Sequence, residues 1–188
     1  MKANLFQSKK CLFDTYQEKQ TLKEDFRVSS LLKLKNKDEM VTGGRGKSMS
    51  FWNTKTFKWE HKVECCECRS SNGLIELPNH CVAVSGGWSS AIDIIDTDTY
   101  QLIKQIKCEG YIDDSGSCSS LHLLSNGTFL YSHDECFCQI SSKTYKVLFK
   151  NKMEKEFRGN LITSTLNGKY IIIDNKNWGM SIFRVKYI

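Results

Sequence analysis

The residues best equipped for chemistry are thiols gathered in one short stretch, Cys65-Cys66-Glu67-Cys68, with Cys108 as a more distant fourth. Thiolates are preferred zinc ligands and, where their pKa is depressed, redox-active nucleophiles. A structural zinc site commonly draws on two Cys-x-x-Cys pairs, and this stretch does not supply them. Adjacent residues at a strand end also point to opposite sides, which separates Cys65 from Cys66. Cys66-Glu67 recurs as Cys108-Glu109 in the repeat described below, the pattern of a repeated structural position. A zinc-binding or redox-responsive cysteine domain using Cys65, Cys66, Cys68 and Cys108 is therefore kept as the second reading, and no metal or other cofactor is expected.

Two further chemistries fail on spacing. Gly46-Lys47-Ser48 matches the end of a phosphate-binding loop, but that loop needs a glycine five residues before Gly46, where Val41 stands, and a helix after it. The residues that follow, Met49 to Trp52, read as a strand. His61, His80, His122 and His133 lie in four local contexts with no serine, cysteine or acid at a recognisable catalytic spacing. An enzyme with a site on one rim is the third and weakest reading, and no catalytic residue is assigned.

Composition bounds the partners. The chain has 188 residues, 40% hydrophobic and 26% charged, enough to bury a core as one globular domain. Its net charge of +6 comes from basic residues that are dispersed, and the densest patch, Lys33 to Lys37, alternates with Leu34 and Asn36 as a solvated strand face would. Nucleic-acid binding would concentrate them with stacking aromatics, so it is not expected. No apolar stretch approaches the roughly 18 residues of a membrane span, and Met1 to Phe13 lacks the apolar core of a signal peptide. The expected location is cytoplasmic, where the nine cysteines stay reduced.

The elements that would position any site follow from a period. Leu34-Lys35-Asn36, Leu77-Pro78-Asn79 and Leu124-Ser125-Asn126 open three similar units, and Leu166-Asn167-Gly168 opens a fourth. Val41-Thr42-Gly43-Gly44 and Val84-Ser85-Gly86-Gly87 follow in the first two, a step of 43 residues. In the clearest unit, Leu74 to Leu77, Cys81 to Val84, Ala91 to Ile95 and Tyr100 to Ile106 are short runs rich in Val, Ile and Tyr separated by turn residues, hence four strands. Asn126-Gly127 and Asn167-Gly168 fall between first and second strands, where a two-residue hairpin wants positive φ at both centres. The strands are therefore expected to run as an antiparallel meander.

Phe13-Asp14, Trp52-Asn53, Ile95-Asp96, Ile140-Ser141 and Val185-Lys186 end the third strands at steps of 39, 43, 45 and 45 residues. With Gly43-Gly44 and Gly86-Gly87 after the second strands, this register resembles the WD40 repeat family in degenerate form. The resemblance implies an all-β, propeller-like array of four-stranded antiparallel blades forming a single domain over 1–188. A partial blade is expected at 10–27, with a strand at about Lys19 to Arg27, whole blades at 29–66, 72–108 and 117–150, and a three-stranded partial blade at 159–187. That is about four repeats, an open or incomplete propeller. No Gly-His pair and no Trp-Asp pair occurs, so the hydrogen-bonded His-Asp network of well-conserved blades is expected to be mostly missing. Trp52, Trp59, Phe51 and Phe183 are expected to pack in the core.

In such a meander the turns between second and third strands share one face with the links between blades. Arg45, Trp88, His133 and Trp178 stand at equivalent positions there, joined by Tyr111 from a link. Trp and Arg lead the residues that dominate interfaces. The resemblance therefore implies a non-catalytic scaffold or adaptor that holds another protein or peptide on this rim, with self-association through open blade edges as a further expectation.

Overall fold

The computed structural model describes residues 21–66, 73–86, 91–107, 120–133, 136–152, 157–164, 170–175 and 180–184. Among them, fifteen strands form four antiparallel sheets, each strand beside its sequence neighbour. The first blade is β1 (Val28–Lys33), β2 (Glu39–Gly44), β3 (Ser48–Asn53) and β4 (Trp59–Glu64). The second is β5 (Leu74–Leu77), β6 (Cys81–Ser85), β7 (Ala91–Asp96) and β8 (Gln101–Lys107). The third is β9 (Ser120–Leu123), β10 (Thr128–His133), β11 (Cys136–Ser141) and β12 (Val147–Lys152), and the fourth has β13 (Phe157–Ser164), β14 (Tyr170–Asn175) and β15 (Met180–Arg184). No helix of the described residues is long and apolar enough to cross a membrane.

Middle strands are apolar on both faces because a blade is covered on both. Side chains alternate along a strand, so each sends one set forward and one set back. Val41, Met49 and Phe51 of the first blade go forward to meet Leu74, Val84 and Ile95 of the second. Ala83, Ile92 and Ile94 go forward in turn to Phe129, Tyr131 and Ile140 of the third. Leu130 carries the pattern to Ile171 and Ile173 of the fourth. Among the described residues the inner strands β1, β5, β9 and β13 pack successively and β1 and β13 share no comparable packing, so the four described blades form an arc. The outermost strands β4 and β8 are exposed along most of their length.

The repeating sequence marks have local physical causes. Leu34, Leu77 and Leu124 are buried at the turns between first and second strands, where they plug the inner end of each blade. β3, β7 and β11 end at Asn53, Asp96 and Ser141, and each of these side chains accepts backbone N–H groups two and three residues on. That side-chain cap closes the hairpin. It places Phe57, Tyr100 and Tyr145 in the left-handed region, with φ of 54°, 56° and 57°. Equivalent β-bulges, at Phe51/Trp52, Ile94/Ile95 and Gln139/Ile140, accompany the three turns. At Gly44 a side chain would meet the Arg27 carbonyl oxygen at 2.0 Å, which explains the small-residue pair.

Three expectations need correction. The Asn126-Gly127 turn is not a two-residue hairpin with positive φ at both centres: only Gly127 is left-handed, at 77°. Leu124 N–H instead bonds the Thr128 carbonyl, and the Asn126 side chain accepts from Thr128 N–H and Oγ1. Residues 21–27, expected in the N-terminal partial blade, form no strand; its residues 10–20 lie outside the described ones. The Glu24 side chain is engaged with the first sheet, and the Arg27 carbonyl accepts Arg45 N–H at 3.0 Å. Trp59 and Phe183 are not core residues but are exposed, while Phe51 and Trp52 are buried. Trp59 starts an outermost strand and Phe183 lies on β15, whose far edge pairs with no described strand.

The first blade carries a polar network of its own, built without a histidine. Glu24 Oε1 accepts Trp52 Nε1–H at 3.0 Å and Glu24 Oε2 accepts Ser50 Oγ–H at 3.0 Å. Thr42 Oγ1 also donates to Glu24 and lies 3.1 Å from the indole nitrogen. In the second blade the buried Asp93, one strand position equivalent to Ser50, accepts from Cys66 N–H at 2.6 Å and from the Gln105 amide at 2.8 Å. A carboxylate thus gathers the donors without any Gly-His pair. Glu24→Ala would remove the shared acceptor of Trp52, Ser50 and Thr42, leaving the indole only Thr42 Oγ1 at 3.1 Å and the Thr42 hydroxyl only the Ser50 carbonyl at 3.5 Å, which costs about 1–3 kcal/mol. Urea unfolding should show that loss as a lower midpoint at unchanged slope.

Candidate functional site

A shallow cup opens where the turns between first and second strands converge on the arc's inner side. Its lining comes from three blades: Leu34, Leu77, Pro78 and Leu123 form an apolar floor. Lys35, Lys37, Glu76 and His80 form the rim. The volume is about 170 Å³. Cofactors and drug-sized ligands occupy cavities of roughly 300–1,000 Å³, so this one suits a single side chain.

Polar bonds hold the cup's shape across the blade boundary. Both oxygens of Glu76 accept Lys35 N–H, at 3.0 and 3.1 Å. The Lys37 ammonium bonds the Thr97 carbonyl and pairs with Asp98 at 2.7 Å. His80 Nδ1 lies 3.9 Å from the other Asp98 oxygen, and His80 itself is left-handed at φ 57°. Three charged side chains of two blades, Lys37, Glu76 and Asp98, are thereby held around one opening.

Beside the cup run two aromatic latches. Tyr100 of the second blade reaches back to the first: its hydroxyl donates to Glu39 at 2.5 Å, its ring stacks on His61 at 3.7 Å, and its edge meets Phe51 at 5.1 Å. Lys37 lies 5.5 Å above the ring, within cation–π range. Tyr145 of the third blade repeats this on the second, accepting from the Asn79 amide and donating to Cys81 Sγ at 3.5 Å. Burial first, and then Glu39, pushes the Tyr100 hydroxyl above its ordinary range, and burial pushes Tyr145 up to about 12. Neither phenol is a ready proton carrier near neutral pH.

The expected site residues divide by what is described. Arg45 is exposed at the turn after β2, on the face opposite the cup. His133 is the last residue of β10, paired with Cys136, rather than a turn-tip residue. Trp88, Tyr111 and Trp178 lie outside the described residues, as do Cys68 and Cys108. Cys65 and Cys66 follow β4, and Cys66 Sγ packs 3.5 Å from the Val84 carbonyl. Burial, with Asp93 beside it, drives the Cys66 thiol far above its ordinary value, so it is held protonated and is a poor metal ligand. Among the described residues no three His, Cys, Asp or Glu groups stand together as metal ligands.

The histidines do not converge. His61 stacks on Tyr100, His80 borders the cup, and His122 Nε2 meets Ser164 Oγ at 2.8 Å across the third and fourth blades. The latch tyrosines, the cup and the His122–Ser164 bond were not singled out by sequence reasoning. Thr56-Phe57, Thr99-Tyr100 and Thr144-Tyr145 carry the signal, since they recur at steps of 43 and 45 residues.

No family model and no curated protein matches the chain. Among solved structures, the WD40 β-propeller domain of Doa1 is similar over 85% of this chain, at 12% identity and a TM-score of 0.65. The match covers 51% of that chain, so this chain spans about half its length. The fold is therefore that of a WD40-type β-propeller, with four sheets of three or four strands among the described residues.

Burial holds the His122 pKa below its ordinary 6.5. Such a group favours the folded state while neutral and opposes it once the unfolded chain binds a proton. Stability should accordingly decline as pH falls from 7.5 through 6.5 towards the depressed folded value. His122→Gln should flatten that decline in thermal unfolding between pH 7.5 and 5.5; an unchanged slope would remove His122 as its cause.

Proposed function

We propose that the chain is a non-catalytic interaction module that holds a protein or peptide partner at the cup of Leu34, Leu77 and Leu123. The observation that carries this reading is a small apolar opening framed by locked charges from adjacent blades. A cavity of that size takes one aliphatic side chain of a partner, while exposed Lys33 and Lys35 favour acidic residues beside it. Propeller folds offer such a site on a rigid scaffold, and the Doa1 likeness supports the scaffold rather than any particular ligand. The module works in a reducing, cytoplasmic setting, which suits a chain with nine cysteines.

A second reading keeps recognition on the opposite rim, with Arg45, Trp88, Tyr111, His133 and Trp178. Its support is Arg45, exposed at a turn whose backbone is tied to Arg27. The two rims separate experimentally by selecting peptides from a random library on the immobilised chain. On the cup reading, selected peptides share one bulky aliphatic residue flanked by Asp or Glu. Lys35→Glu then weakens them about tenfold or more, roughly 1.4 kcal/mol, and Arg45→Ala with Trp88→Ala leaves them unchanged. The reverse pattern moves recognition to the other rim, and no selectable peptide on either would defeat the peptide-binding reading.

A further inference from the structure

The outermost strands carry a repeated exposed position that the packing of blades leaves unused. Strand register places Trp59, Leu102 and Val147 opposite Trp52, Ile95 and Ile140, each the residue before the third-strand anchor Asn53, Asp96 or Ser141. All three stand in solvent, 54%, 45% and 42% exposed. In the second and third blades the bulge that follows adds Ile103 and Leu148, neither of which has a register partner, and Leu148 is 58% exposed. Single exposed leucines are ordinary, but consecutive large apolar residues at the same place on successive blades are not. Lysines accompany these runs: Lys104, Lys107, Lys143, Lys146 and Lys150 are exposed, and neither 101–107 nor 141–152 contains Asp or Glu. The acids of the turn before β8 are engaged elsewhere, since Asp96 accepts N–H groups of the turn and Asp98 pairs with Lys37. The first blade differs. β4 contains Glu60 and Glu64, and Lys55 and Lys62 pair with Asp38 and Asp25 at 2.5 Å.

We propose that the outer wall of the second and third blades docks on a bilayer surface rich in acidic phospholipid. Leu102, Ile103, Val147 and Leu148 enter the headgroup layer there, and the lysines meet its phosphates and carboxylates. Docking of this kind needs no spanning segment, because apolar burial in the interface and attraction of lysine to a negative surface act together. Lysines alone would serve to keep the free strand edges from pairing with other sheets, but the exposed Leu102-Ile103 and Val147-Leu148-Phe149 runs defeat that purpose. The geometry favours a bilayer over an acidic peptide. An extended peptide added to a sheet edge engages β8 or β12 singly, whereas a repeat on two successive blades of a convex wall suits one broad surface. The cup opens on the inner side of the arc, so docking leaves it free for its own partner.

Co-sedimentation of the intact chain with phosphatidylcholine vesicles, with and without about one-third phosphatidylserine, tests this, with circular dichroism as the check on folding. The wild type should bind the vesicles that contain phosphatidylserine, release them as salt rises past about 0.15 M, and leave pure phosphatidylcholine alone. Lys146→Glu and Leu148→Gln should each weaken binding about tenfold, the first through charge and the second through lost apolar contact. Lys35→Glu makes the same change of charge at the cup and should alter vesicle binding far less. A wild type that ignores both kinds of vesicle overturns the inference. So does an equal loss in Lys35→Glu, which would mean attraction by net charge alone, or a Leu148→Gln chain that binds as the wild type does. A chain that passes over vesicles and instead binds polyglutamate through Lys146 would assign the wall to an acidic protein segment, and that result also overturns it.

Discussion

Every blade of this protein is a sheet whose middle strands are apolar on both faces, and that single constraint organises the rest. Such a sheet has no face that water can solvate cheaply, so it is stable only between neighbours. Ile92 and Ile94 go forward while Ile95 goes back, and all three are fully buried. Fully burying one such side chain stabilises by about 1.5–3 kcal/mol, and each boundary gathers several from both blades. The stability of any one blade therefore resides in its two boundaries more than in its own hydrogen bonds. Outermost strands escape the constraint, which is why β4 and β8 can be largely polar and exposed.

Non-directional burial does not by itself fix how one blade sits on the next. Direction comes from the turns after β3, β7 and β11, where a side-chain cap and a bulge hold an aromatic residue in the left-handed region. An L-residue pays roughly 1–2 kcal/mol for that conformation. Tyr100 recovers it through a carboxylate bond, a stacked imidazole and an overlying ammonium, all from the preceding blade. The hydrogen bond is directional and the ring is rigid, so the pair sets register where the aliphatic core cannot. Glu39 also has one buried oxygen without a hydrogen-bond partner, a cost tolerated because the other anchors the latch.

The architecture was legible because it rests on periodic marks with physical causes. Leu34, Leu77 and Leu124 had to be apolar to plug the blade ends, and Asn53, Asp96 and Ser141 had to offer a side-chain oxygen to the turn. Side-chain networks were less legible because a role can be filled by different chemistry. Glu24 gathers Trp52, Ser50 and Thr42 from outside the expected motif, so the missing Gly-His pair gave no sign of the carboxylate that serves these donors. The cup was not legible at all: Leu34, Leu77 and Leu123 come from three units that only the arc's curvature brings together. Arg45 was read on the rim because turn position follows directly from strand count, whereas convergence between blades does not.

The cysteines show how the same logic decides between chemistry and packing. Reading Cys66 as a ligand or redox centre required an accessible thiolate. Its backbone N–H instead serves Asp93, and its sulfur lies between the Val84 and Ala91 carbonyls, where three electron-rich groups oppose a negative sulfur. Cys81 and Cys138 occupy buried strand positions with small volume and weak polarity, as would an alanine or valine that can also accept a hydroxyl proton. Thiol content is then a consequence of boundary packing, since narrow spaces between blades favour small side chains that tolerate a nearby phenol or carbonyl. A thiol in that setting acts by filling space.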